Sequence, residues 1–188
     1  MTIDFSKIDK RWTLFLDRDG VINIEKENDY IYHWDEFVFY DDVLPVLKKF
    51  NELFNHIIIV TNQRGVSKGL MTEADLQQIH ENMTAAIYAA GGRIDRIYYC
   101  TDLENASPRR KPNPTMGLEA RHDFPDIDFS KAVMIGNTLS DMHFGRNLGM
   151  KTIYLRTTHP DIRLPNSLID AAFDNLGSVA NALNRTIL

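Results

Sequence analysis

Cysteine is almost absent from this 188-residue chain: Cys100 stands alone. A single thiol cannot form an intramolecular disulfide, and it excludes a zinc site built from several thiolates. Long apolar runs are missing too. No window approaches the ~20 apolar residues of a membrane span, and the opening MTIDFSKIDKRW has no apolar signal-peptide core, so the expected location is the cytoplasm. An excess of positive charge is also lacking. The formal net charge of -5 argues against a nucleic-acid coat or a membrane-surface protein, while leaving room for a local basic cluster. What remains, 44% apolar and 25% charged residues, is the composition of a soluble globular protein with a sizeable core. No repeat, low-complexity segment or linker divides it, so residues 1–188 are expected to form a single domain and, in solution, a monomer.

Five apolar runs, rich in β-branched and aromatic residues, stand between turn or cap residues: WTLFL (12–16), HIIIV (56–60), RIYYC (96–100), AVMIG (132–136) and KTIYL (151–155). They read as buried strands. Helical patterns lie between them. From Thr72 to Ala90, Leu76, Ile79, Met83, Ile87 and Ala90 recur at steps of three and four, with a Thr72/Asp75 capping box before them and Gly91-Gly92 after. Another helix carries Val43, Leu47, Phe50 and Phe54. A third follows Pro114, a fourth runs from Leu139 to Leu148, and a fifth starts near Ser178. Strands alternating with helices predict an α/β fold with a doubly wound, mostly parallel sheet.

In such a sheet ligands bind beyond the carboxyl ends of the strands. Those positions hold Asp17-Arg18-Asp19-Gly20, Thr61-Asn62-Gln63 and Asn137 with Asp141, while Arg109-Arg110-Lys111-Pro112 precedes the third helix. Two carboxylates two residues apart at a strand end repel unless a cation sits between them or one takes a proton, which suits a nucleophile, an acid/base partner and magnesium. Each cluster also has a plainer reading: a D-x-D-G surface turn, a helix cap at Thr61-Asn62, a solvated charge run at Arg109 to Lys111. Their joint occurrence at strand exits and helix entries favours one pocket.

The order D-R-D-G-V-I-N, T-N-Q-x-G-V, R-K-P-x-P, I-G-N-x-x-x-D resembles the four motifs of the haloacid dehalogenase superfamily of phosphatases. More narrowly it is similar to the branch that contains heptose 1,7-bisphosphate and histidinol-phosphate phosphatases, and the likeness covers nearly the whole chain. The resemblance implies a Rossmann-like sheet without a large cap domain. It makes Asp17 the nucleophile and Asp19 the acid and base. Thr61 and Asn62 would bind the transferring phosphoryl group, Gln63 would contact substrate, and Lys111 would balance charge. Magnesium would take Asp17, the backbone carbonyl of Asp19 and the fourth motif, Asn137 with Asp141; Asp141 could instead orient Lys111.

Two departures from that pattern matter. Asn137 stands where the family usually has an aspartate, so magnesium is expected to bind more weakly, and the amide is also compatible with a helix cap. Of the branch's zinc-loop ligands only Cys100 is kept; Asp102, Ser107 and Arg109 occupy the other places, so no zinc is expected. Arg109 and Arg110 favour a second anionic group on the substrate, hence a sugar bisphosphate over histidinol phosphate, although the acidic Glu25 to Asp29 would suit a cation. Rival readings are a phospho-accepting receiver domain and a catalytically silent phosphate-binding protein.

Overall fold

The computed structural model describes residues 3–184; the expected domain's ends, 1–2 and 185–188, lie outside the described residues. Six strands form one parallel sheet: β1 (Thr13–Leu16), β2 (His56–Asn62), β3 (Arg96–Cys100), β4 (Ala132–Gly136), β5 (Lys151–Leu155) and β6 (Ala171–Phe173), in spatial order β3-β2-β1-β4-β5-β6. Between and after them lie α1 (Val43–Leu53), α2 (Glu73–Ala89), α3 (Thr115–Asp123), α4 (Leu139–Asn147) and α5 (Leu176–Asn184). The five predicted strands are all present. β6 was not predicted, and three short 3-10 helices, Phe5–Lys7, Trp34–Glu36 and Phe129–Lys131, were not either.

The strands read as continuous apolar runs because both faces of the sheet are covered. Leu14, Leu16, Ile57, Ile59, Val133 and Ile135 point to the side held by Val46, Leu47 and Phe50 of α1, Leu76, Ile79 and Met83 of α2, and Val179 of α5. Phe15, Ile58, Val60 and Met134 point the other way, against Met116 and Ala120 of α3 and Phe144 of α4. Alternate residues of each strand therefore enter different cores. The predicted capping box of α2 is formed: Thr72 Oγ1 accepts from the Asp75 amide at 3.1 Å and Asp75 Oδ2 accepts from the Thr72 amide at 2.8 Å.

The segment between β1 and α1 closes over the carboxyl end of the sheet without forming a separate cap. Its aromatic residues pack on one another: Trp34 stacks on Phe37 with ring centres 5.1 Å apart, and Phe37 meets Phe39 edge to face at 5.0 Å. No helix among the described residues is long and apolar enough to cross a membrane.

Candidate active site

β1 ends at Leu16, level with Ile59 of β2 and Ile135 of β4, so Asp17 leaves β1 between the last residues of its two neighbours. β1 is also where the winding of the sheet reverses, with β2 on one side and β4 on the other, the position at which open α/β sheets bind ligands. A cavity of about 270 Å³ opens there, lined by Asp17, Asp19, Thr61, Asn62, Arg110, Lys111, Asn137 and Asp141, with Glu25 from the loop after β1. A larger cleft of about 610 Å³ lies along the edge strand β3; Arg109 lines it, but Asp17, Asp19 and Asp141 do not.

Asp17 continues β1, its amide donating to Ile135 O at 3.0 Å. Its Oδ1 accepts from the Arg18 amide at 2.7 Å and from Lys111 Nζ at 3.0 Å, so the carboxylate is held in one orientation. Lys111 is buried and has three N–H groups, all of them spent: one on Asp17, one on Asp141 Oδ1 at 2.6 Å, one on Val60 O at 2.7 Å. Asp141 Oδ2 accepts in turn from the Thr138 amide at 3.0 Å and the Thr138 hydroxyl at 2.7 Å. Asp141, expected among the metal ligands, thus has both oxygens committed, one orienting Lys111 and one capping α4. Thr138, not Asn137, is the cap residue of that helix. Gly136 permits this closeness, since a Cβ there would lie 2.2 Å from Asp141 Cβ.

Asp19 sits in a second net. Arg18, fully buried, donates from Nη2 to both of its oxygens at 2.9 and 3.0 Å; Asn23 adds a bond at 2.9 Å and Gln63 one at 2.8 Å. Gln63, expected to touch substrate, therefore stands behind Asp19, and it also donates to Thr61 Oγ1 at 2.8 Å. Thr61 accepts that bond and keeps its hydroxyl proton to donate elsewhere. Asn62, expected on the phosphoryl group, lines the cavity and clasps the backbone of Lys111, accepting from its N–H at 3.0 Å and donating to its carbonyl at 3.2 Å. Neither Thr61 nor Asn62 caps a helix, because β2 runs on through both.

These contacts set the charges. Burial, then the nearby Asp141, push Asp17 up to about 7 even though Lys111 opposes them. Burial alone would lower Lys111, but Asp141 and Asp17 carry it above the ordinary lysine range. Burial, the largest single influence, would raise Asp19 as well; the charge of Arg18 and the hydrogen bonds from Asn23, Arg18 and Gln63 together outweigh it and hold the carboxyl below its ordinary range. His80, buried against Arg18, is pushed down to about 3 by burial and then by the guanidinium. Arg18 Nη1 can only donate, so His80 Nε2 accepts at 3.2 Å and the ring is neutral.

The basic residues divide. Arg109 is exposed and paired with Glu119 at 3.2 Å, away from the cavity. Arg110 lines the cavity, and its Nη1 is buried with no hydrogen-bond partner among the described residues. Burial, then the like charge of Arg64, hold Arg110 below the ordinary arginine range. Arg64, which the sequence reading passed over, has a buried Nε without a partner as well. It follows directly on Thr61-Asn62-Gln63, and that placement was the available signal. The loop over 101–113 is tied by hydrogen bonds: Ser107 Oγ donates to Asp102, Asn113 Nδ2 to Ser107 O at 2.7 Å, and Arg64 to Asn105.

The oxygen donors at the strand ends fit a hard divalent cation. Asn137 donates from Nδ2 to Glu25 Oε2 at 2.9 Å and to Thr158 Oγ1 at 2.8 Å, while its Oδ1 is buried with no partner among the described residues. A buried acceptor without a donor, lining the same cavity as the Asp17 carboxylate, suits a hard divalent cation. Among the described residues no three His, Cys, Asp or Glu side chains gather as a ligand set. A site here would combine one carboxylate, one amide oxygen, a backbone carbonyl and waters.

Known proteins share this architecture. The HAD-hydrolase-like family model matches residues 108–177. The D-glycero-alpha-D-manno-heptose-1,7-bisphosphate 7-phosphatase of Campylobacter jejuni is 37% identical over 146 residues, 78% of this chain and 83% of that protein. The D-glycero-beta-D-manno-heptose-1,7-bisphosphate 7-phosphatase of Escherichia coli K12 is 31% identical over 182 residues, 92% of this chain and 93% of its own. The chain belongs to the HAD-like phosphatases. Within that family, the crystal structure of D,D-heptose 1,7-bisphosphate phosphatase from B. bronchiseptica, complexed with magnesium and phosphate, superposes with a TM-score of 0.82 at 25% identity, over 93% of this chain and 98% of that one. Family membership bears out both the resemblance read from the four motifs and the doubly wound parallel sheet.

Proposed function

We propose that this chain is a single-domain, magnesium-dependent phosphatase that removes the 7-phosphate of D-glycero-D-manno-heptose 1,7-bisphosphate through an aspartyl phosphate on Asp17. The observation that carries the choice of substrate is Arg110: a buried guanidinium nitrogen without a partner, in the same cavity as Asp17 and Asp19, asks for a second anion. Relatives named as 7-phosphatases of this sugar bisphosphate support it.

Asp17, its carboxylate fixed by Lys111 and the Arg18 amide, attacks phosphorus as the sugar oxygen leaves. Asp19 protonates that oxygen and then takes a proton from the water that hydrolyses the acyl phosphate. The contacts from Arg18, Asn23 and Gln63 favour the ionised carboxylate that the second step needs. The proton needed in the first step is favoured by the negative charge of the incoming phosphate. Thr61 donates its hydroxyl proton to a phosphoryl oxygen. Lys111, with no N–H to spare, neutralises Asp17 instead of binding phosphate directly. Magnesium, held by Asp17, the carbonyl of Asp19 and Asn137 Oδ1, would supply positive charge for the phosphoryl oxygens.

Histidinol phosphate, the alternative substrate, would place an ammonium and an imidazole where the loop acids lie. Two of those acids are already engaged, Glu25 by Asn137 and Thr158 and Asp29 by Tyr32. The test is kcat/KM on both compounds, with magnesium and with chelator. A preference for the heptose bisphosphate that disappears on chelation is expected. A preference for histidinol phosphate overturns the substrate, and no turnover on any sugar phosphate favours the silent binding protein.

A further inference from the structure

Glu25, Asn137 and Thr158 form a closed triangle at the rim of the cavity. Asn137 Nδ2 donates to Glu25 Oε2 at 2.9 Å and to Thr158 Oγ1 at 2.8 Å, and the Thr158 hydroxyl donates to the same Glu25 oxygen at 2.7 Å. Every proton has one acceptor: the amide gives one N–H to the carboxylate and one to the hydroxyl oxygen, and the hydroxyl gives its proton to the carboxylate. A carboxylate only accepts, so the amide nitrogen must face Glu25 and Oδ1 must face away. That oxygen is the buried acceptor left without a partner. The amide packs directly over Gly20, at a φ of 77°, in space that any side chain would fill: a Cβ there would be 2.0 Å from Nδ2.

We infer that Glu25 is a positioning residue for the metal site: it turns Asn137 Oδ1 toward the cation that Asp17 binds and supplies, through the amide, the negative charge that Asn137 lacks. The inference rests on the magnesium-dependent reading above. It also explains why residue 137 is an amide. An aspartate there would set two acceptors 2.9 Å apart with no proton between them, so glutamate at 25 and asparagine at 137 belong together as one charge and one donor. Magnesium affinity would then depend on the pair and not on residue 137 alone, contrary to the expectation that an aspartate at this position simply binds the ion better.

The test is direct titration calorimetry of magnesium, without substrate, into the wild type, Glu25→Gln, Asn137→Asp and the double variant, with thermal unfolding to confirm folding. Glu25→Gln is expected to weaken binding about tenfold, the scale on which partners behind a ligand act. Asn137→Asp alone is expected not to tighten binding. The double variant, in which a glutamine amide again donates to a carboxylate, is expected to return to within about threefold of the wild type. Unchanged binding by Glu25→Gln, or tighter binding by Asn137→Asp alone, overturns the inference. If Glu25→Gln does not fold, Thr158→Val carries the test: weaker binding supports the triangle, and unchanged binding refutes it. A wild type that binds no magnesium overturns the metal reading itself, a different failure from a wild type that binds while Glu25→Gln binds equally well.

Discussion

Asp141→Asn tests the reading of Lys111 most severely, because it changes no shape and removes one charge. Asp141 is fully buried and accepts three hydrogen bonds, from Lys111 Nζ at 2.6 Å and from the amide and hydroxyl of Thr138 at 3.0 and 2.7 Å. An asparagine can satisfy only one side. With its oxygen toward Lys111, its NH2 faces the Thr138 amide, leaving a buried donor unmet at about 1 to 3 kcal/mol. Lys111 also loses one of its two counter-charges, and breaking a buried pair costs roughly 3 to 5 kcal/mol. Asp17 remains 3.0 Å from the ammonium, so the low ends apply, about 4 kcal/mol in all. For a chain of this size each kcal/mol moves Tm by roughly 2–4 °C, so Tm should fall by about 8 to 16 °C. The assay is thermal and urea unfolding of metal-free protein, run as a cycle with Lys111→Met. Lys111→Met strands Asp17 and Asp141 together and should destabilise more than Asp141→Asn. The double variant should lose less than the two single losses added together, with a coupling of about 1 to 3 kcal/mol. A loss below about 1 kcal/mol for Asp141→Asn, or strict additivity in the cycle, would refute the idea that Asp141 is committed to Lys111 and the helix cap.

The two arginines of the third motif should separate cleanly. Arg110→Ala is expected to lower kcat/KM on the bisphosphate by roughly ten- to a hundredfold, the worth of one charge-assisted contact, with little change on a heptose monophosphate. Arg109→Ala, which removes only an exposed partner of Glu119, should leave both substrates within about twofold; equal losses from the two variants would defeat the assignment. His80 should make folding pH-dependent. Its native value, pushed down to about 3, lies below that of the unfolded chain, so its contribution is complete above about pH 6.5 and is lost as pH falls. Between pH 7 and pH 5 the wild type should lose about 2 kcal/mol more than His80→Gln in urea unfolding. The comparison with the variant is needed because metal-free Asp17, raised to about 7, acts in the opposite direction over the same range. Equal pH slopes in the two proteins would show that His80 is not buried neutral against Arg18.

The fold was legible because its strands are buried on both faces, which makes them uninterrupted apolar runs. β6 escaped because Ala171–Phe173 is three residues long and only half-buried at the sheet edge. The positions of Asp17, Asp19 and Lys111 were legible as motifs at strand ends. What their neighbours do was not, because spacing brings a residue to a pocket without saying which of its donors are already taken. Asn62 and Gln63 sit where substrate contacts were expected; Gln63 gives both N–H groups to Asp19 and Thr61, while Asn62 braces the backbone of Lys111 and keeps one N–H at the cavity wall. Asp141 is spent in the same way as Gln63. Thr158 attracted no notice at all, since its partner Glu25 is 133 positions away and neither stands in a motif.

The hydrogen-bonded core of the site holds four carboxylates, Asp17, Asp19, Asp141 and Glu25, against two cations, Lys111 and Arg18. Each cation is fixed to carboxylates and neither is free to turn toward a ligand. Two negative charges are therefore left over in a mostly buried space, a cost that a single divalent ion would remove and a monovalent one would not. A phosphate ester arriving there brings negative charge of its own. Arg110, with a buried nitrogen to donate, and Arg64 beside it stand outside that core and are not neutralised by it. On the proposed reading the division is functional: the inner charges are balanced by metal, the outer guanidinium groups by the second phosphate. On that same reading a substrate lacking the second phosphate would leave the buried nitrogen of Arg110 without an acceptor beside the like charge of Arg64, and the bisphosphate is the ligand such an arrangement would favour over the simpler ester.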